Sequence, residues 1–439
     1  MPQVIIDTDS PVLLGREPER PIAFRHGQAV SRREFLGHVT ALARTLPDGA
    51  FMVNLCEERY RFLVSYAAAQ SRGHTVLLPS SRAEQIVGEV EAAHAGSYRC
   101  DDDSVESALR MAANLPVDVR ISPDHTCMIG FTSGSTGQPK KFPKLWRTVS
   151  ASTAHNAAQM RAALEGREPG AIVATVPPQH MYGMEVSILV PLIAGIAVHS
   201  ARPLFPADIA RSLEEIPAPR VLVSTPVHLR AMIESSVAFP PTALIVSATA
   251  PLDAALARAI ETRLDGRLLE MFGSTETCVF AHRRTAHETA WRLYEGVNLE
   301  PTEEGTIVSA SWYPVPVMLQ DRVSLESDHR FTVKGRSADM IEVAGKRASL
   351  ADLTRRLLAI EGVRDAIVFQ SEETSGGVRR VAALVVAPGL RAAEVIEALR
   401  PSVDPAFLPR PLRVLERLPR NDLGKLPREA LLKALKNNL

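Results

Sequence analysis

Short apolar runs alternate with stretches of helical spacing along most of the chain. Residues 21–24 and 51–55 are short and apolar, whereas 31–46 and 59–71 carry apolar side chains at helical intervals. Residues 75–78 predict another strand. From Thr126 the alternation continues, with strands expected at 127–132, 171–175, 221–224, 243–247 and 268–272 and helices between them. Strands alternating with helices predict a largely parallel α/β sheet, and ligands of such sheets bind beyond the carboxyl ends of the strands.

The texture changes near Arg336. Helices are expected at 349–360, with Ser349 as N-cap, at 391–399 and at 428–435; strands are expected at 366–369, 381–386 and 412–415. The pattern predicts a large N-terminal α/β domain of layered sheets and helices, residues 1–336, and a small α+β domain, residues 337–439. No internal repeat or low-complexity tract interrupts either.

Composition narrows the function. A chain of 439 residues is too long for one ordinary core, and 46% hydrophobic with 23% charged residues argues against wholesale disorder. Lys+Arg and Asp+Glu are both 50, so the charge excess of a dedicated nucleic-acid binder is missing. Aromatic residues make up only 5%, too few for a base-stacking platform. The most apolar stretch, 186–198, is broken by Ser187, Pro191 and Gly195 and is too short to span a bilayer. The N-terminus lacks the basic start and apolar run of a signal peptide. Cys56, Cys100, Cys127 and Cys278 are scattered, with no CxxC pair, so neither a disulfide framework nor a zinc site is indicated and a reducing cytoplasm is the expected compartment. Only 8 of the basic residues are lysine, none before Lys140, which makes each lysine worth examining.

The strongest chemical signal is Thr132-Ser133-Gly134-Ser135-Thr136-Gly137-Gln138-Pro139-Lys140, directly after an apolar strand. Small residues let the backbone approach phosphate closely, amides and hydroxyls can surround its oxygens, and Lys140 adds a point charge. The Walker pattern GxxxxGK[ST] does not match. This run resembles the signature of the adenylate-forming superfamily, which includes acyl-CoA synthetases, aryl-acid ligases, peptide-synthetase adenylation domains and luciferases.

Other motifs follow in that family's order. Phe272-Gly273-Ser274-Thr275-Glu276 resembles its aromatic-Gly-x-Thr-Glu motif, which implies an aromatic near adenine, Thr275 on the α-phosphate and Glu276 on Mg²⁺. A carboxylate is a suitable hard ligand for that ion. Ser247-Ala248-Thr249-Ala250-Pro251-Leu252 is similar to a Ser-Gly-Gly-Ala-Pro-Leu segment bordering adenine and the acyl pocket, with Ala and Thr in place of the glycines. Asp321 resembles the ribose-binding Asp, and Gly335-Arg336 the pair whose Arg contacts ribose and phosphate. His180, in Pro177-Pro178-Gln179-His180-Met181-Tyr182-Gly183, resembles the His-x-x-Gly turn at the acid pocket, and residues 221–228 the next acyl-pocket segment. Gly424-Lys425 resembles the C-terminal signature whose Lys bridges the substrate carboxylate and the α-phosphate.

The resemblance implies two half-reactions using ATP and Mg²⁺: formation of acyl-AMP with loss of pyrophosphate, then transfer to a thiol of CoA or of the phosphopantetheine arm of a stand-alone acyl carrier protein. It also implies a mobile small domain that rotates between the halves and brings the Gly345 turn to the acyl-adenylate. Ala338 and Glu342 depart from the usual hinge residues. The pocket segments suggest an aryl acid or a short to medium acyl acid, with compact ligases that load hydroxybenzoates in pigment and aryl-polyene pathways as the nearest resemblance. A non-catalytic nucleotide-binding homologue and an adenylate-forming amide ligase are the alternatives.

Overall fold

The structure, a computed structural model, describes residues 17–110, 119–132, 140–326, 329–336, 340–343, 346–375, 378–421 and 424–436. The chain forms two compact units, one of Met1–Val297 with Ser309–Val317, the other of Asn298–Val308 with Met318–Leu439. The division expected at 336/337 falls at the edge of residues 337–339, which lie outside the described residues.

Fourteen strands of the first unit matter for the site: β1 (Pro21–Arg25), β2 (Gln28–Ser31), β3 (Phe51–Asn54), β4 (Thr75–Leu78), β5 (Tyr98–Cys100), β6 (Thr126–Thr132), β7 (Lys140–Leu145), β8 (Ala171–Ala174), β9 (Val198–His199), β10 (Arg220–Ser224), β11 (Leu244–Ser247), β12 (Arg267–Ser274), β13 (Cys278–Arg283) and β14 (Trp291–Leu293). They make two sheets. One has the order β5-β3-β4-β6-β7, and the other runs β14-β13-β12-β11-β10-β8-β9-β1-β2. Pairing is parallel from β5 to β6 and from β12 to β1, so the carboxyl ends of β8, β10, β11 and β12 form one edge. Hairpins β6–β7 and β12–β13 are antiparallel.

The parallel strands are buried on both faces and read as continuous apolar runs, Ala171–Ala174 and Leu244–Ser247 being buried throughout. Ile209, Leu213, Ile260 and Leu264 from flanking helices pack on them, and Val53, Leu77 and Phe131 build a second core around β6. Local signals set the helix starts: the Ser31 side chain accepts from Glu34 N at 3.1 Å, opening helix Arg32–Thr45. The apolar run noted in the sequence coils into the wide-turned π-helix Glu185–Ala194, closed by left-handed Gly195. Among the described residues, no helix is long and apolar enough to cross a membrane.

The second unit contains the hairpin Asp321–Leu325/Arg330–Arg336 and a three-stranded sheet in which Asp365–Ser375 pairs with Val378–Val386 and that strand with Leu412–Val414. Helix Leu350–Leu358 starts at Ser349, whose hydroxyl accepts from Asp352 N, and packs Leu353 and Leu357 against Val368 and Val385. Helix Arg428–Lys436 covers the other face through Leu431, Leu432 and Leu435. The mixed α/β class expected from the sequence is the observed one.

Candidate active site

The site in the first unit is built around Gly130 of β6. A Cβ on Gly130 would lie 3.4 Å from Cγ2 of Thr275 and 3.7 Å from Cε of Met181. Three segments singled out by their motifs therefore meet here: the strand leading to the Gly/Ser loop, the Phe272–Glu276 turn and the His180 turn.

The loop closes the β6–β7 hairpin, with Thr132 opposite Lys140 in register. Lys140 is exposed. Ser133, Gly134, Ser135, Thr136 and Gly137 lie outside the described residues, as do Gln138 and Pro139.

The Glu276 turn joins β12 to β13. Phe272 pairs with Ala281, Gly273 with Val279 and Ser274 with Cys278. Inside the turn, Ser274 N donates to Thr277 Oγ1 at 3.0 Å and Thr277 N to Ser274 Oγ at 3.2 Å. From outside it, Tyr313 OH donates to Thr277 O at 2.7 Å and Lys144 Nζ to Glu276 O at 2.5 Å. The Phe272 ring meets the edge of Phe280 at 5.4 Å and lies 4.9 Å from Trp291, so two neighbours fix its plane. Thr275 and Glu276 are half-buried.

His180 precedes the single turn Met181–Met184. Its carbonyl accepts from Met184 N at 2.7 Å, and a Cβ on Gly183 would meet Pro177 O at 2.0 Å, which explains the glycine. Tyr182 OH donates to Val246 O at 3.0 Å and ties this turn to β11. Next along β11, Ser247 is fully buried and its Oγ has no hydrogen-bond partner among the described residues; Ala248 is buried, and Thr249 adopts φ 80°. The backbone thus keeps a left-handed residue where a glycine-bearing motif would have supplied one easily.

The carboxyl edge of the parallel strands is hydroxyl-rich. Thr175 Oγ1 lies 3.0 Å from Ser224 Oγ and 3.0 Å from His228 Nδ1, and Ser224 pairs in register with Ser247. Burial, and then the charge of Arg202, hold His228 below the ordinary histidine range. Arg59 is fully buried, donating to Ala174 O and Val176 O at 2.8 Å, and burial pulls its guanidinium down to about 9.

In the second unit, Asp321 and Arg336 are cross-strand partners at the open end of their hairpin, and Asp321 O accepts from Thr306 Oγ1 at 2.7 Å. Gly335 has φ 112°, and a Cβ there would stand 2.8 Å from Ser349 Oγ. Lys425 is exposed on a tight loop: Lys425 N donates to Asn421 Oδ1 at 2.9 Å, Asn421 N to Lys425 O at 2.8 Å, and Gly424 is left-handed at φ 71°. Arg420 braces the loop, reaching Gly424 O at 2.7 Å and Asp365 at 2.8 and 3.0 Å. Ala338 and Gly345 lie outside the described residues.

Residues 50–303, more than half of the chain, match the AMP-binding enzyme family. The chain belongs to that family. It is 32% identical over 232 residues to 4-coumarate–CoA ligase of Rhodobacter capsulatus, an alignment covering 53% of this chain and 57% of that protein. It is 29% identical over 346 residues to 4-coumarate–CoA ligase of Halorhodospira halophila, covering 75% of this chain and 83% of that one. ATP-bound MatB from Rhodopseudomonas palustris has the same fold, with TM-score 0.78 at 18% identity over 97% of both chains. The chain is therefore an AMP-binding enzyme, and both of those curated relatives are named as acid–CoA ligases.

Sequence reasoning passed over Lys144, Glu185 and Tyr313. The scarcity of lysine pointed toward the first, and an acid at the head of an apolar run toward the second.

Proposed function

We propose that this AMP-binding enzyme activates a small aryl acid as its adenylate and passes the acyl group to a thiol of CoA or of a carrier protein's phosphopantetheine arm. The observation that supports it most is the meeting of three motif-bearing segments at Gly130. The hydroxyl-rich edge formed by Thr175, Ser224 and Ser247, with His228 behind it, suits an acid bearing a hydroxyl substituent, such as a hydroxybenzoate. The 4-coumarate substrate in the names of both relatives is an acid of that aryl class.

In the first half-reaction a carboxylate oxygen attacks the α-phosphorus of ATP, and the bond to the pyrophosphate oxygen breaks. In the second the thiol sulfur attacks the acyl carbon, loses its proton, and AMP leaves with the mixed-anhydride oxygen. The β6–β7 loop, Thr132 to Gly137, supplies amides and hydroxyls to the phosphates and Lys140 a charge. Phe272, Gly273, Ser247 and Ala248 border adenine, Thr275 meets the α-phosphate, and Asp321 and Arg336 take the ribose. His180 faces the acid's carboxylate. Lys425 neutralises the carboxylate and phosphate oxygens as they approach.

Glu276 carries a half-buried carboxylate at the tip of its turn, and no described residue gives it a hydrogen bond or ion pair. Among the described residues no group of three or more His, Cys, Asp or Glu could enclose a metal. One carboxylate at a phosphate site fits Mg²⁺, which binds through one or two carboxylates, phosphates and water. Held by Glu276 and the nucleotide, the ion would neutralise charge on phosphate oxygens.

ATP–pyrophosphate exchange across hydroxybenzoates, cinnamates, short and medium fatty acids and amino acids tests this reading. Exchange with the aryl acids is expected. Exchange confined to amino acids, or none despite ATP binding, overturns it. CoA and a carrier protein are then compared as acceptors by thioester yield.

A further inference from the structure

We propose that Lys144 and Glu185 are positioning residues that lock the β12–β13 turn, so that the Glu276 carboxylate meets the nucleotide-bound cation already aimed. The inference rests on the metal role proposed for Glu276.

Four main-chain groups of the turn and its outgoing strand are held by four different side chains. Lys144 Nζ donates to Glu276 O, Tyr313 OH to Thr277 O, and Thr277 Oγ1 to Cys278 O at 2.8 Å. Val279 N donates to both carboxylate oxygens of Glu185 at 3.1 Å. Glu185 is 1% exposed and is itself fixed by Ser152 Oγ at 2.5 Å and Asn156 Nδ2 at 3.3 Å; Tyr294 OH in turn donates to Asn156 Oδ1 at 2.7 Å.

Lys144 is only 4% exposed, and no carboxylate among the described residues lies within ion-pair distance of it. Its charge reaches Glu185, on which it acts against the upward push of burial. Burying an ammonium against one carbonyl and the Cys278 thiol is a costly way to fill space, and Met or Leu would fill it better. A fixed cation at the main chain of Glu276, with the Glu185 carboxyl gripping Val279 N, is instead what orienting a ligand-bearing turn needs. Lys144 is also on β7, the strand that leaves the Gly/Ser loop at Lys140, and pairs with Met128 of β6. The same strand that borders the phosphate loop therefore grips the metal turn, and the Thr275 methyl seats against Gly130 of β6.

The test uses the full chain as Lys144→Met, which keeps length and apolar bulk, and as Glu185→Gln, which keeps shape. ATP binding is measured by calorimetry in EDTA and across a Mg²⁺ titration. Hydrogen exchange is followed at residues 275–279. The metal-free ATP affinity is expected to stay within about twofold, while the Mg²⁺ midpoint rises about tenfold, as for loss of an outer partner of a metal ligand. Exchange in the turn is expected to quicken about tenfold, with other strands unchanged. A folded variant with wild-type Mg²⁺ midpoint and wild-type exchange overturns the proposal. Should Lys144→Met not fold, Glu185→Gln decides by the same readouts. A wild-type protein whose ATP binding ignores Mg²⁺ would overturn the metal role of Glu276 and the aiming with it, while exchange at 275–279 still reports separately whether the two residues lock the turn.

Discussion

Gly273 and Cys278 approach so closely across the β12–β13 turn that a Cβ on the glycine would stand 2.1 Å from the cysteine's carbonyl oxygen. Cys278 is itself left-handed at φ 59°, and Thr277 Oγ1 donates to the same oxygen, so the turn has no slack to yield. Gly273→Ala must push the strands apart. A loss of about 2 kcal/mol in urea denaturation is expected, in the range of overpacking changes. Weakened ATP binding is expected with it, because Thr275 and Glu276 ride on the displaced strand. Unchanged stability would mean the turn relaxes in a way its hydrogen bonds argue against.

Thr249 carries the reverse case, a side chain where the backbone wants none. At φ 80° a β-branched residue is strained, and such positions cost on the order of 1–3 kcal/mol. Thr249→Gly relieves the strain but adds roughly 1 kcal/mol of chain entropy to the unfolded state. The net expectation is a gain of up to about 2 kcal/mol, read as a higher denaturation midpoint. Thr249→Val keeps the strain without the hydroxyl and is not expected to be stabilised. If Gly lowers the midpoint, the Thr249 side chain makes a contact that outweighs its strain.

The hydrophobic pattern carried the architecture because buried parallel strands are apolar throughout, and a run such as 243–247 has no other place to go. The observed Leu244–Ser247 differs by one residue. Ser349 was legible as a cap for the same local reason. β7 was not: Lys140-Lys141-Phe142-Pro143-Lys144-Leu145 reads as polar and broken by proline, yet it is tolerated at the end of its sheet order, where one side needs no ladder. Motif order named the site segments, but not what steadies them. Lys144 reaches a carbonyl 132 residues away, and Glu185 bonds an amide 94 residues away. Such partners exist only once the sheets are assembled.

His282 sits on β13, and burial, with a smaller push from Arg292, lowers its imidazole to about 4. A histidine whose pKa falls on folding is neutral in the native state and binds its proton mainly when unfolded. Its stabilising share is therefore complete above the unfolded value near 6.5 and is lost as pH falls toward 4. A gap of that size corresponds to a few kcal/mol at about 1.4 kcal/mol per unit, and the other buried histidines, also lowered, add to the fall over the same window. The denaturation midpoint is expected to fall between pH 6.5 and 4. The fall should be shallower in His282→Gln, which cannot ionise. Parallel curves for the two proteins would assign the acid limb to other groups.

Lys425 is the residue whose removal best separates binding from chemistry. Its loop is fixed through main-chain groups, by Lys425 N to Asn421 Oδ1, Asn421 N to Lys425 O and Arg420 to Gly424 O. Lys425→Ala should therefore fold like wild type and shift the midpoint by less than about 0.5 kcal/mol, as surface changes do. If the ammonium neutralises oxygens only as carboxylate and α-phosphate approach, its loss falls on the rate of adenylation. A drop of about two to three orders of magnitude in pyrophosphate exchange is expected, typical for loss of one electrostatic stabiliser. ATP binding by calorimetry should stay near wild type. Thioester formation from a synthetic acyl-adenylate bypasses the first half-reaction and should survive. Equal losses in both halves would make Lys425 a general anchor for AMP, and an unchanged exchange rate would remove it from the chemistry.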